Sequence, residues 1–344
     1  MELSVHIVTC GRLELFKECC SSVLAALPEN AEVLVVINGD VPGTVEYLTE
    51  LGHPQLRWLQ VPRESLSRSR NRAFELCKGK ILYYLDDDVK VPQHLFRLAL
   101  EKFRRIPELA VLGGPNITPA DSSWKEKLFG AIMTTPFAAP MVFRRYARSE
   151  KRDFGANQHN LIFCNLACRA SLIPKKIRFR EDLVSNQENL FLHLIGGLGL
   201  QALVSSELYV FHRRRKTWRS FILQIASYGC GRLQQTWISW KSCHLLFLIP
   251  PLLYPLVLGL MLSRNFIVLE FLCIFYGGCA LVGGLSSKVY RDLGVWAWVL
   301  LIPLSGIVHL AYGFGWWRGL YSQLIPKSLY KEVLIFGHWQ NAPN

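Results

Sequence analysis

The 344-residue chain has ten cysteines but no Cys-x-x-Cys pair, so neither a zinc site nor a dithiol redox pair is indicated. The cysteines stand at positions 10, 19, 20, 77, 164, 168, 230, 243, 273 and 279, several within apolar runs where a thiol packs as a small hydrophobe. That usage suits a reducing, cytoplasmic setting. The opening MELSVHIVTC lacks the basic region, apolar core and cleavage site of a signal peptide, and residues 1–243 are expected to face the cytoplasm. Zinc-finger spacing and RNP-like aromatic motifs are missing as well, so no nucleic-acid partner is expected. Charge is scarce at 19% of residues, and it nearly vanishes over the last hundred.

What fills that space is apolar. Ser242 to Ser263 carries no charged side chain, Asn265 to Ser287 carries only Glu270, and Leu293 to Trp317 carries none. At about 1.5 Å per residue each run can cross a hydrocarbon core of roughly 30 Å. Three membrane helices are therefore expected at about 242–263, 265–287 and 293–317, with a juxtamembrane tail over 318–344. Pro250, Pro251 and Pro255 mark the first as kinked or re-entrant. Three crossings would put Arg318, Lys327 and Lys331 outside, against the positive-inside tendency, so either the last segment lies on the membrane surface or the count is even. Residues 1–243 hold +10 of the net +13. A basic domain tethered to a bilayer points to phosphate-bearing partners: anionic headgroups, a nucleotide, or both.

The first 120 residues alternate short β-rich runs (Ser4 to Thr9, Glu32 to Ile37, Leu56 to Val61, Ile81 to Leu85, Ala110 to Gly113) with helical patterns (Leu13 to Leu27, Thr44 to Leu51, Ser65 to Cys77, Gln93 to Arg105). This predicts βαβ units and a mostly parallel sheet, with ligands bound beyond the carboxyl ends of the strands. Those ends are Thr9-Cys10-Gly11-Arg12, Asn38-Gly39-Asp40 and Asp86-Asp87-Asp88. Three adjacent carboxylates after a buried strand repel one another unless a cation or a set of donors faces them. A site holding Mg2+ or Mn2+ through one or two carboxylates plus substrate phosphates supplies that cation. The plainer reading of DDD is a solvated turn that caps the next helix.

The ordered motifs SVHIVTCGR, VVINGD, LSRSRNRAFELCKGKILYYLDDDV, CNLACRASLI and NQENLFLHLIGGLG resemble family 2 glycosyltransferases of the GT-A fold, over about residues 3 to 240. The resemblance implies a GT-A domain over 1–212 that binds a nucleotide-diphosphate sugar through an acidic motif and a divalent metal. Asp86 would face the ribose or diphosphate and Asp88 would be a metal ligand, with the choice between Asp87 and Asp88 left open. Arg70 and Asn71 would help hold the nucleotide, Asp40 would lie near the base in place of the usual acidic pattern, and His212 would be a metal ligand or diphosphate contact. The catalytic base would be Glu188, with Glu181 and Asp182 as rivals.

Arg213, Arg214, Arg215 and Lys216 form a run that clamps a leaving diphosphate or meets anionic headgroups. Arg214 and Arg215 are the candidates for the first role. Trp218, Phe221, Ile222, Ile225, Leu233, Trp237 and Trp240 fall near helical spacing, so 213–241 is read as amphipathic interfacial helices. A second basic group, Arg144, Arg145, Arg148, Lys151 and Arg152, reads equally as a mobile flap or a solvated loop. The QxxRW motif of processive synthases is absent, which favours single additions to a lipid-linked or saccharide acceptor. The alternatives are a nucleotidyl- or phosphotransferase, which usually brings a Gly- and Lys-rich loop after the first strand, and a non-catalytic binding scaffold. Nothing in the sequence indicates an oligomeric state.

Overall fold

The computed structural model describes residues 1–149, 153–285 and 293–325, so Lys151 and Arg152 lie outside the described residues. The chain divides into two compact units. The first comprises residues 1–119, 144–182 and 187–213, and the second comprises 120–143, 183–186 and the chain from Arg214 onward. The first unit is not contiguous in sequence: excursions at 120–143 and 183–186 belong with the C-terminal helices.

The first unit is built on an eight-stranded sheet. Strands β1 (Leu3–Thr9), β2 (Ala31–Asn38), β3 (Leu56–Val61) and β4 (Ile81–Asp86) lie parallel in the order β3-β2-β1-β4. Every residue of β1 and β2 is buried, and so are the first five of β4. Both faces of these strands are covered, which is why they read as unbroken apolar runs instead of alternating ones. Helices α1 (Leu13–Ala26), α2 (Thr44–Leu51), α3 (Leu66–Leu76) and α4 (Leu95–Arg105) connect or follow them, and Ser65 caps α3 by accepting from the Arg68 amide.

Beyond β4 the order continues β9-β6-β10-β8, where β6 is Leu109–Gly113, β8 Asp153–Gly155, β9 Leu166–Arg169 and β10 Gln201–Ser205. Strand β9 is antiparallel to both β4 and β6, so β6 runs the same way as β4 and its carboxyl end reaches the same rim. A small second sheet, β5-β11-β7, joins Val89–Lys90 (β5), Val210–His212 (β11) and Asn116–Ile117 (β7) at that rim.

At the opposite end of the sheet Glu32 is buried and ties four segments together. It accepts from the Ser4 hydroxyl at 2.7 Å, the Lys78 amide at 2.7 Å and Arg57 Nε at 2.8 Å. Burial by itself would raise this carboxyl, but the three donors outweigh it and hold its pKa below the ordinary range. A carboxyl depressed on folding contributes stability above its unfolded value, about 4.3, and that stability is lost as pH falls through the folded value. Glu32→Ala is expected to cost roughly 2–4 kcal/mol at pH 7 through orphaned buried donors. The gap from the parent protein should narrow below about pH 4 in urea melts.

The second unit is helical. It holds α5 (Trp124–Met133), α7 (Trp218–Ile238), α8 (Ile249–Leu262), α9 (Phe266–Leu285) and α10 (Val295–Leu324). The stretch expected as interfacial helices is one 21-residue helix, α7, packed along α10. Glycines explain the closeness: a Cβ at Gly229 would lie 2.0 Å from Tyr312 O, and one at Gly315 would lie 1.8 Å from Ala226 O. Gly229 on α7 and Gly315 on α10 form the seam. Phe221, Ile225 and Leu233 are buried, while Trp218, Trp237 and Trp240 remain exposed.

The first expected membrane span does not form one long helix. Residues 240–247 are taken up by two short 3-10 turns, and α8 is only 14 residues, about 21 Å long. Pro250 and Pro251 cause the late start, because proline suits the first turn of a helix, where its missing N–H is not needed. Two helices are long and apolar enough to cross a membrane among the described residues, Phe266–Gly284 within α9 and Val299–Leu324 within α10. The count is even. The first seven residues assigned to the tail continue α10, and 326–344 lie outside the described residues.

Candidate active site

Parallel pairing sets the rim. The register Val8↔Asp86 puts the ends of β1 and β4 side by side, so Thr9 and Asp87 leave the sheet together. Thr9 Oγ1 donates to Asp87 Oδ2 at 2.9 Å, and both residues are buried. Arg12 follows a glycine at φ +131°, a value that favours glycine at position 11, and its guanidinium pairs with both Asp87 and Asp88. Burial pushes the Asp87 carboxyl up to about 6, with Asp88 and Asp86 adding to the rise while Arg12 and Thr9 oppose it. The repulsion inherent in DDD is therefore met in part by one arginine.

The third element is His212. Antiparallel pairing of β11 with β5 sets His212 opposite Val89, one residue past Asp88, and the Arg213 amide donates to Asp88 O at 3.2 Å. His212 Nε2 consequently lies 3.0 Å from Asp88 Oδ1. One ligand atom from each of Asp86, Asp88 and His212 falls within 4.8 Å of the others. Two carboxylates and an imidazole, with no thiolate among them, fit a hard or borderline divalent cation that keeps open positions for further oxygen ligands. Asp87 points away, into its contacts with Thr9 and Arg12.

Asp86 is held from α3. Arg70 Nη2 reaches Asp86 Oδ1 at 2.9 Å, and its guanidinium lies 4.0 Å from the Phe163 ring centroid. Phe163 packs against Phe179 at 4.6 Å, and Phe179 against Phe191 of α6 (Gln187–Gly197) at 4.7 Å. One aromatic cluster therefore anchors both the helix that orients Asp86 and the helix that opens with Glu188. Asn71 clamps that cluster from beneath, donating to Phe179 O and accepting from Phe179 N, each at 2.9 Å.

Glu188 is buried in the first turn of α6, 3.5 Å from Arg145 Nη1. Its rivals are placed differently. Glu181 and Asp182 are both exposed, Asp182 pairs with Arg180, and Glu181 lies 3.3 Å from the Asn71 amide.

The remaining expectations divide. Asn38 is buried and spends both ends of its amide on the Glu64 main chain, at 3.0 and 2.9 Å, so it braces the rim. Asp40 is exposed just after Gly39, which sits at φ +97°. Arg214 and Arg215 are counted with the second unit. Of the basic group read as a flap or solvated loop, Arg145 is neither, being only 4% exposed.

Three residues escaped the sequence reading. Arg63 is exposed after β3 and donates to Cys10 O at 3.3 Å and Asn38 O at 2.9 Å, across the ends of β1 and β2. Asn165 is buried, accepts from Tyr83 Oη at 2.6 Å and donates to Leu208 O at 2.5 Å. The third is Arg145, in its buried role. A lone polar residue between apolar neighbours in FCNLAC was the one available signal, for Asn165.

The sheet order, with the acidic end of β4 and the cation-ligand cluster beside it, is that of a mixed α/β domain of GT-A-like fold followed by C-terminal helices. The family model described as glycosyl transferase family 2 matches residues 4–183, more than half of the chain, and the chain belongs to that family and is a glycosyltransferase. The chain is 26% identical over 110 residues to a chondroitin synthase of Escherichia coli, which takes in 31% of this chain and 16% of that protein. It thus spans well under two thirds of that relative's length. Among solved structures, a mannosyltransferase from Pyrobaculum calidifontis in complex with GDP-Man and Mn2+ superposes with a TM-score of 0.60 at 14% identity, covering 88% of this chain and 86% of that one. S. aureus TarS 1–349 in complex with UDP-GlcNAc gives a TM-score of 0.49 at 14% identity, covering 92% of each chain.

Proposed function

We propose that the chain is a membrane-anchored, inverting glycosyltransferase that moves one sugar from a nucleoside-diphosphate sugar to a hydroxyl of a lipid-linked or saccharide acceptor. The observation that carries this reading is the cluster of Asp86, Asp88 and His212 ligand atoms at the carboxyl end of β4, in a chain of this family. Those residues would hold Mg2+ or Mn2+, and the bound ion supplies positive charge to the departing diphosphate. The mannosyltransferase neighbour is itself in complex with a nucleotide sugar and Mn2+.

The chain's own groups do the rest. Arg12 shares its charge between the acidic pair and the donor phosphates, with Thr9 and Gly11 shaping the turn and Asp40 facing the nucleoside. Arg70 fixes the Asp86 carboxylate, and Asn38 and Asn71 act by bracing the walls. Glu188 takes the proton from the acceptor hydroxyl as its oxygen forms a bond to the anomeric carbon. The bond from that carbon to the diphosphate oxygen breaks on the opposite side, which inverts the anomeric configuration. Arg214 and Arg215 neutralise the leaving diphosphate or the headgroups beside it. Two crossings by α9 and α10 would return Arg318, near the end of α10, to the side that carries the catalytic domain, in keeping with the positive-inside tendency.

Nucleoside diphosphate release should be measured with the purified full chain against a panel of nucleotide sugars, with Mn2+, Mg2+ or EDTA. We expect one donor class to be turned over, silenced by EDTA and restored by added metal. Release from no donor, or release indifferent to EDTA, overturns the metal-dependent reading.

A further inference from the structure

We infer that Arg145 is the positioning residue and charge partner of the catalytic carboxylate, an assignment of catalytic role that rests on the reading of Glu188 as the base. The guanidinium is 4% exposed and three of its contacts are already committed. Its Nε donates to His159 O at 2.8 Å, its Nη2 to Gln158 O at 2.9 Å, and its Nη2 also to Asn189 Oδ1. These contacts fix the plane of the fork from two sides, the turn at 158–159 and the first turn of α6. Nη1 is then left facing Glu188 Oε1 at 3.5 Å.

Two consequences follow from that geometry. Glu188 has 8% of its side chain exposed, and Arg145 sets a positive charge beside it. The 3.5 Å separation is that of an ion pair without a tight bidentate clamp, so the carboxylate keeps lone pairs for an acceptor proton. Asn189 is the next residue on the same helix, so the fork also fixes the rotation of the turn that carries Glu188. Arg145, one of a basic group that the sequence offered equally as a mobile flap or a solvated loop, instead delivers the counter-charge of the base.

A stability cycle on the full chain tests the pairing without needing a donor. Arg145→Met, Glu188→Gln and the double variant would be compared by urea unfolding at pH 7. Removing Arg145 alone leaves a buried carboxylate uncompensated, so adding Glu188→Gln should recover about tenfold in the unfolding equilibrium constant, a coupling within the usual range for contacting charges. Should Arg145→Met fail to accumulate, Arg145→Gln replaces it in the same cycle. Additive effects would show that the arginine merely supports the 158–159 carbonyls, and the proposal falls. Turnover supplies the second readout: Arg145→Lys should lower kcat by at least tenfold with the donor KM within twofold, whereas an unchanged kcat overturns the positioning role. If Glu188→Gln itself retains turnover while the cycle shows coupling, the base assignment fails and the ion pair stands.

Discussion

Asp88→Ala is expected to lower sugar transfer by about a thousandfold, the equivalent of roughly 4 kcal/mol in transition-state stabilisation, without unfolding the protein. Asp88 stands where three constraints meet: its carboxylate faces His212 at 3.0 Å, pairs with Arg12, and falls within the group that includes Asp86. Truncation removes a ligand and also frees Arg12 to close wholly onto Asp87. The fold should tolerate this, because the Arg213 amide bonds to the Asp88 carbonyl, which alanine keeps. Asp87→Ala makes the contrast. That side chain is 1% exposed and answers Thr9 and Arg12, so its loss should lower the melting temperature as well as activity. Circular dichroism melts and nucleoside diphosphate release with graded Mn2+ separate the two. Turnover of Asp88→Ala within threefold of the parent at every Mn2+ concentration would remove Asp88 from the metal site.

The rim was legible in the sequence because its strands are long apolar runs and its turns carry polar residues that have no place in a core. Ile81 to Leu85 read as a buried strand by itself, whereas DDD alone read as a solvated turn and became a candidate site only beside the other strand ends. What the sequence hid were contacts set by short elements. Strand β9 is four residues long and enters between β4 and β6 from more than eighty residues downstream of β4. A two-residue β5 paired with a three-residue β11 is what delivers His212 to Asp88. Elements that short have no periodicity to read.

Arginine was the residue type read least well. Local composition treats a basic run as solvated, yet the contacts sort these side chains individually. Arg145 is sequestered among carbonyl oxygens and the Glu188 carboxylate, Arg148 lies 4.5 Å from the Tyr209 ring centroid, and Arg144 lies 5.6 Å from that of Phe154. The same limit applies to Asn38 and Asn71, whose amides close loops against main-chain groups far away in sequence. Apolar length alone also does not say where a helix starts: the uncharged run from Ser242 enters α8 only at Ile249, with two prolines in its first turn.

Glu188→Gln is expected to reduce kcat by roughly two to four orders of magnitude, the usual weight of a positioned general base, with little change in donor KM. Glutamine keeps the volume and a carbonyl oxygen to face Arg145, so the first turn of α6 should persist, but it cannot carry away the acceptor proton. The paired controls are Glu181→Gln and Asp182→Asn. Both carboxylates are exposed, and Asp182 is already balanced by Arg180 at the surface, so neither substitution should alter kcat by more than about threefold. A base also differs from a metal ligand in what it spares. Glu188→Gln should bind Mn2+ with donor as tightly as the parent protein, whereas Asp88→Ala should not. Calorimetric titration of Mn2+ in the presence of donor reads that difference directly. A Glu188→Gln protein that loses Mn2+ affinity along with turnover would move this glutamate out of the acceptor side and into the donor site.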